Sequence, residues 1–322
     1  RLRADHSGAM KPKRSFDLRL LPKLRDGLSY VFLEHGRVEK EDSSVAWYGP
    51  EGAVALPAAS LATLLLGPGV TVTHSAMVAL ADNGVTVAWV GEQGVRFYAS
   101  GIGETRSARN LERQATAWAD EDLRLQVVKR LYAFRFTDPL DPSLTLQQIR
   151  GKEGVRVREA YAQAARAAGI DWRGRRYKRD DWDEADSVNK ALSAGNACLY
   201  GVCHAAIVSL GFSPGLGFLH SGKQLSFVYD VADLFKAETV VPVAFAAAGA
   251  SDVDVERRVR HTLRDKFRES KLLARVARDL HALFDLDAEE SDPFETDAAA
   301  PGDIWDGDKF VPGGKEYGRD DG

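Results

Sequence analysis

Val85-Thr-Val-Ala-Trp-Val-Gly-Glu-Gln-Gly-Val-Arg-Phe-Tyr98 is the last in a series of short apolar runs, and the chain changes character soon after it. Its two apolar halves are joined by Gly91-Glu-Gln-Gly94, the pattern of two strands and a tight connection. Upstream, Tyr30-Val-Phe-Leu33, Ser44-Val-Ala-Trp-Tyr48 and Leu61-Ala-Thr-Leu-Leu-Leu66 read the same way. Gly49-Pro-Glu-Gly52 reads as a second hairpin connection, and a short helix from about His74 to Ala81 ends at Asn83-Gly84. Beyond Gly103 the apolar period lengthens: Leu111, Ala115, Trp118, Leu123, Val127, Leu131 and Phe134 predict one helix over 107–136, stopped by Pro139 and Pro142. Further helices are predicted over 144–168 with Gly169 as cap, from Asp186 or Ser187 to Ser209, around 225–236, over 239–248 and over about 253–284. The predicted class is α+β: a small β-rich N-terminal domain over residues 10–103, an α-helical domain over 104–288, and a flexible acidic tail over 289–322. Arg1 to Ala9 precede Met10 and read as an expression remnant.

A chain of 322 residues can bury two cores. No run approaches the roughly 18 consecutive apolar residues of a membrane span, and no secretory signal precedes the first apolar segment. A cytoplasmic protein without a membrane partner is expected. Cys198 and Cys203, five apart, match neither a C-x-x-C redox pair nor a zinc knuckle and read as buried free thiols. Charge is unevenly placed. Residues 281–322 hold 13 acidic and 3 basic side chains, a net of −10, which leaves 34 acidic and 40 basic residues in the body, a net of +6. A mildly basic body is compatible with nucleic acid, and the tail is expected to dock on a basic partner or to shield the DNA face.

Asp230 and Asp233 stand three apart in Leu225-Ser-Phe-Val-Tyr-Asp-Val-Ala-Asp-Leu-Phe-Lys236, ten residues and more after His220. On a helix both carboxylates project from one face. Two such charges about 5 Å apart repel by roughly 3 kcal/mol at an effective dielectric near 20. A cation between them reverses the sign, and His220 lies near enough in sequence to add a nitrogen ligand. Spacing alone equally describes a solvated helix face. Glu153, in Arg150-Gly-Lys-Glu-Gly-Val-Arg-Val-Arg158, is flanked by Gly151 and Gly154, each costing a helix up to about 1 kcal/mol relative to Ala. Such glycines make sense where another helix or a nucleic-acid strand approaches closely; a solvated face is the alternative.

Gly151-Lys-Glu-Gly154, Asn189-Lys-Ala-Leu-Ser-Ala-Gly-Asn-Ala-Cys-Leu-Tyr200, Gly217-Phe-Leu-His-Ser-Gly-Lys223 and the Leu225–Lys236 stretch occur in that order. With Trp89 to Ser100 and Trp172-Arg-Gly-Arg-Arg-Tyr177, they resemble the CRISPR-associated integrase of spacer acquisition, CRISPR-associated protein one, of the type I-E kind. The resemblance runs from about Leu28 to Lys271. It implies a β-rich domain followed by an α-helical catalytic domain, and homodimerisation. It also implies metal ligands at Glu153, His220 and Asp230, with Asp233 as a fourth acidic residue beside them. Oxygen ligands plus one imidazole suit Mg2+ or Mn2+, and the lack of thiolates argues against zinc. The implied partners are double-stranded DNA with 3′ single-stranded ends, CRISPR repeat DNA and CRISPR-associated protein two. The implied reaction is transesterification by a DNA 3′-OH; with water as nucleophile the same site is a nuclease.

Several residues are expected to grip DNA. Lys223 and Lys236 flank the acidic pair; Arg257, Arg258, Arg260, Arg264, Lys266 and Arg268 form a basic stripe. Arg173, Arg175, Arg176, Lys178 and Arg179 form a second cluster, with Trp172, Tyr177 and Trp182 available for stacking. By the resemblance, Arg96 matches a DNA-contacting arginine, and Tyr200 and Tyr229 match tyrosines near the active site. The pattern departs at His35, where relatives carry a tyrosine that wedges against the duplex end, and at Thr71 and Val78, where some carry arginines. His74, His204 and His261 are read as structural or solvent-facing. Two rival readings are a stand-alone structure-selective nuclease and a DNA-binding scaffold without catalysis.

Overall fold

The structure, a computed structural model, describes residues 30–41, 44–101, 108–172, 174, 187–284, 304–305 and 310–311. The expected remnant at 1–9, the domain boundary at 103–104, and Arg173, Arg175, Arg176, Tyr177, Lys178, Arg179, Trp182 and Asp186 lie outside these. So does the tail, apart from a strand pair, Ile304–Trp305 with Phe310–Val311.

Eight strands and one helix make up the first part: β1 (Tyr30–Leu33), β2 (Gly36–Glu41), β3 (Ser44–Gly49), β4 (Gly52–Leu56), β5 (Thr63–Leu66), β6 (Val70–Val72), α1 (His74–Asp82), β7 (Thr86–Val90) and β8 (Phe97–Gly101). They form two four-stranded sheets, ordered β1-β5-β7-β8 and β4-β3-β2-β6. In the first sheet β1, β5 and β7 run parallel and β8 returns antiparallel. This sheet is covered on both faces. Leu64, Leu66 and Val87 pack with Val38 and Val45 of the second sheet and with Leu80 of α1, while Leu65, Ala88 and Val90 pack on the helices. Double-sided burial explains why Leu64-Leu-Leu66 is continuous rather than alternating. Three strands have no counterpart in the sequence reading: β2, β4 and β6. In β2 (Gly-Arg-Val-Glu-Lys-Glu) Val38 alone is buried, so no periodicity marks it.

The helices are α2 (Arg109–Ala119), α3 (Glu121–Ala133), α4 (Leu146–Ala167), α5 (Ser187–Ser209), α6 (Ser226–Ala250), α7 (Val255–Glu269) and α8 (Leu272–Leu283). The class is thus α+β, strands before helices. Three expectations are corrected. The helix expected over 107–136 is two, because Asp120 is extended and its side chain caps α3 by accepting the Leu123 N–H at 2.8 Å. The segments expected at 225–236 and 239–248 are one helix that runs through Pro242. Proline removes the N–H that would bond the Glu238 carbonyl, and Lys266 Nζ of α7 donates to that oxygen at 2.9 Å instead. The helix expected over 253–284 breaks after Ser270, where Lys271 has φ 49°. Unbroken, about 30 residues would reach about 45 Å; the break lets both α7 and α8 pack on α5.

Helix α5 is the axle of the bundle, touching α6, α7, α8 and β8. By length and apolar composition it passes for a membrane span, yet most of it is buried inside the protein. Its composition serves close approach. A Cβ on Gly201 would stand 2.8 Å from the Arg96 backbone, so only glycine lets α5 meet the β7–β8 connection there. Cys198 and Cys203 are both buried and unbridged, and burial pushes both thiols up, Cys198 to about 11.

His204 of α5 stacks on Phe97 of β8 with ring centroids 3.8 Å apart, and burial pulls its pKa from 6.5 down to about 4. The unfolded chain then takes up a proton that the folded chain refuses, so stability falls as pH drops from 6.5 towards 4. His204→Phe keeps the stack and removes the titration. Between about pH 7 and about pH 5 its urea midpoint is expected to fall less than that of the wild type; an equal fall in both would exclude His204 as a source of acid sensitivity.

Candidate active site

The loop between α5 and α6 carries His220, and α2 holds that loop in place. Three polar side chains one turn apart on α2 bond to its backbone. Asn110 Nδ2 donates to Leu210 O at 2.8 Å, and Trp118 Nε1 donates to Gly217 O at 3.1 Å. Gln114, fully buried, donates to Ser213 O and Leu216 O at 3.0 Å each and accepts the Ser213 N–H at 2.7 Å. A buried glutamine with all its bonding met costs nothing in unsatisfied polarity. Asn110 and Gln114 escaped the sequence reading, and Trp118 was taken there as core; a polar residue on an apolar helical stripe was the available signal.

The loop's end is fixed by Asp230 of α6, whose side chain is 0% exposed. Oδ2 accepts the N–H groups of Phe218 (2.6 Å) and Leu219 (3.0 Å); Oδ1 accepts the His220 N–H (2.9 Å) and His220 Nδ1 (2.7 Å). Four donors fill its two oxygens. The hydrogen bond to Asp230 raises the His220 pKa above its ordinary value although burial opposes it. Because Nδ1 donates its N–H to the carboxylate, Nε2 is the ring nitrogen left for another partner. Tyr229 meets the His220 ring edge-on at 5.8 Å and Tyr200 at 5.0 Å, which closes one side of the site with an aromatic row.

Asp233, one turn on, is 26% exposed and faces a cleft of about 590 Å3 lined by Tyr132, Arg135, Arg150, Leu219 and His220 among others. Lys236 Nζ bonds to its Oδ1 at 3.2 Å, and Arg135 Nη2 lies 4.0 Å from Oδ2. Glu153 of α4 is 10% exposed, and Arg135 Nη1 reaches its Oε1 at 3.2 Å. Arg156 holds Glu153 with both arms, at 2.8 and 3.0 Å. Asp230 thus accepts four hydrogen bonds and holds the His220 loop, whereas Asp233 is the aspartate that faces the cleft.

Two carboxylates and one imidazole nitrogen suit a hard divalent cation such as Mg2+ or Mn2+ in donor chemistry. As the side chains stand, no three of His, Cys, Asp and Glu gather closely enough among the described residues to hold an ion, since the guanidinium of Arg135 spans Glu153 and Asp233. The donor set fits; room between the carboxylates requires Arg135 to turn away. Among the described residues no other helix approaches Gly151 or Gly154, and a Cβ at Gly151 would meet open space.

A second cleft brings distant basic residues together. Arg96, beside β8, and Arg260, on α7, line one hollow of about 290 Å3 with Tyr98 and Arg264. Arg257 is exposed one turn away. Other members of the expected stripe are spent on structure. Arg258 donates to Ala247 O at 2.9 Å and to Ser251 O and Val253 O, tying down the end of α6. Arg264 pairs with Glu92 at 2.8 Å, and Lys266 serves Glu238 O. Lys223 is exposed in the His220 loop. His35, with φ 52°, is exposed at the β1–β2 turn, and Thr71 and Val78 are exposed on β6 and α1. His74 and His261 are exposed as well.

The family model for CRISPR associated protein Cas1 matches residues 29–139 and 135–270. A curated relative, CRISPR-associated endonuclease Cas1 2 of Thermus thermophilus, is 56% identical over 307 residues, 95% of this chain and 94% of the relative. CRISPR-associated endonuclease Cas1 of Escherichia coli K12 is 43% identical over 254 residues, 79% of this chain and 83% of the relative. The solved structure of a TtCas1–DNA complex is 57% identical and superposes with a TM-score of 0.78 over 82% of this chain and 99% of that one.

Proposed function

The chain belongs to the Cas1 family, and on that premise we propose that it is a metal-dependent DNA integrase of CRISPR adaptation. In this reading it joins the 3′-OH ends of captured DNA to the repeat array by transesterification, in complex with CRISPR-associated protein two. The observation that carries the reading is that Asp233 and His220 line one cleft, that Arg135 on its wall bonds Glu153 of a third segment, and that a basic hollow lies on the same helix bundle. Glu153, Asp233 and Nε2 of His220 would hold Mg2+ or Mn2+. When bound, such a cation polarises a phosphoryl oxygen and offsets the charge that develops there.

The remaining work falls to the chain's own residues. Asp230 fixes the His220 tautomer and ring plane, so the imidazole keeps one orientation in every turnover. Arg96, Arg257 and Arg260 supply sequence-independent grip on phosphates, for which a steep salt dependence is expected. Tyr200 and Tyr229 shut one wall of the site. In the transfer a new ester forms between the incoming 3′ oxygen and phosphorus while the target strand's own 3′ oxygen leaves with a proton. The relation to a solved Cas1–DNA complex supports the DNA substrate. The homodimer, the partner protein and the repeat DNA rest on family membership.

The test is a half-site joining assay with a short duplex bearing 3′ ends, a plasmid carrying a repeat array, and Mn2+. Wild type should give joined product and Glu153→Gln should give background. Full joining by Glu153→Gln would overturn the site. Relatives named endonucleases favour one second reading, hydrolysis by the same site with water as nucleophile. Cleavage of branched DNA without joining, in the presence of the partner, would select it.

A further inference from the structure

Arg135 follows the last turn of α3, and its guanidinium is 6% exposed between two carboxylates that belong to other helices. It is poorly satisfied there. Nη1 bonds to Glu153, but Nε and Nη2 are buried without a hydrogen-bond partner, and the 4.0 Å approach to Asp233 is too long for a hydrogen bond. Arg156 shows what a firm partner looks like: two short bonds to Glu153 from the same helix. A guanidinium held by one hydrogen bond gives up less on leaving than one held by two. It also has somewhere to go, since Arg135 borders the 590 Å3 cleft whose lining includes Glu121, and the Tyr132 ring lies 5.2 Å beneath it.

We infer that Arg135 is a displaceable counter-ion: it and a divalent cation compete for the same two carboxylates, and the cation enters as the guanidinium swings into the cleft. The inference rests on the metal-site reading above and adds to it a built-in competitor that sets how tightly the cation is held. Arg135 neutralises Glu153 and Asp233 when they would otherwise repel, and it yields when two positive charges on one ion outbid one on a side chain. Lys236 and Arg156 remain to balance the carboxylates as it turns, so the exchange does not leave them bare.

The experiment is titration of the full chain with Mn2+, followed by calorimetry and by the paramagnetic resonance signal of free Mn2+, with Glu153→Gln as baseline. Arg135→Gln removes the charge and should bind Mn2+ about tenfold more tightly than wild type, the worth of a single contact. Arg135→Lys is a milder change that keeps the charge but cannot span both carboxylates; it should bind about two- to threefold more tightly. If Arg135→Gln does not fold, Arg135→Lys decides. Unchanged or weaker Mn2+ binding in the variants overturns the counter-ion while leaving the metal reading intact. Failure of wild type and both variants to bind above the Glu153→Gln baseline overturns both.

Discussion

Asp230→Ala is expected to lose roughly 4 kcal/mol of stability, near the limit for a single substitution, while Asp233→Asn is expected to stay within about 0.5 kcal/mol of wild type. The two residues share a helix and a charge; their surroundings separate them. Removing the Asp230 carboxylate, itself 0% exposed, strands the buried N–H of Phe218 and the partly buried N–H groups of Leu219 and His220. Each buried donor left unmade costs about 1–3 kcal/mol, and relaxation of the loop recovers part of the sum. Asp233 is bonded to Lys236 at a partly open site, so its loss alters the cleft and little else. Urea unfolding separates the two, and Mn2+ titration completes the contrast. Asp233→Asn should keep the fold and lose the cation, whereas Asp230→Ala should lose both. A stable Asp230→Ala protein would show that the carboxylate does not hold the loop, and undiminished Mn2+ binding by Asp233→Asn would remove it from the ligand set.

Gly217→Ala is expected to destabilise by about 3 kcal/mol, the upper range for overpacking, and to abolish DNA joining. A Cβ at this position would stand 2.4 Å from the His220 carbonyl and 2.7 Å from the Ser226 backbone. Neither neighbour is a flexible side-chain end. Ser226 opens α6 and His220 is tied to Asp230, so strain cannot be relieved without moving the imidazole. The Gly217 carbonyl also accepts the Trp118 indole N–H, which pins it from the other side. Thermal or urea unfolding checks the first part, and the joining assay the second. Gly215→Ala is the control: its nearest neighbour would be 3.8 Å away, and near-wild-type behaviour is expected. Equal behaviour of the two alanine variants would refute the close-packing account.

What could be read in the sequence followed from local rules. The strand runs before Gly103 and the longer periods after it gave the class and the order of the layers. Leu61 to Leu66 announced a strand, and the layers packed on each side of it decide that both its faces are buried. Where local signals were silent or misleading, tertiary contacts decided. The break expected between Lys236 and Thr239 is absent, and a lysine from α7 takes up the carbonyl that Pro242 frees within the continuous helix. Ser270-Lys271 carries no glycine or proline, yet the chain turns there because both halves must reach α5.

The candidate site divides the same way. Sequence by itself singled out Glu153, His220, Asp230 and Asp233 through the resemblance of their motifs to one family, and the three-residue spacing puts both aspartates on one helical face. It could not determine which aspartate is free. That depends on three backbone N–H groups bent towards Asp230 by a loop, a loop held in turn by Gln114 from about a hundred residues upstream. Nor could it reveal Arg135 between Glu153 and Asp233, because a guanidinium's partner is set by where three helices cross. Spacing along one helix fixes which side chains share a face; only packing between helices fixes which of them are already engaged.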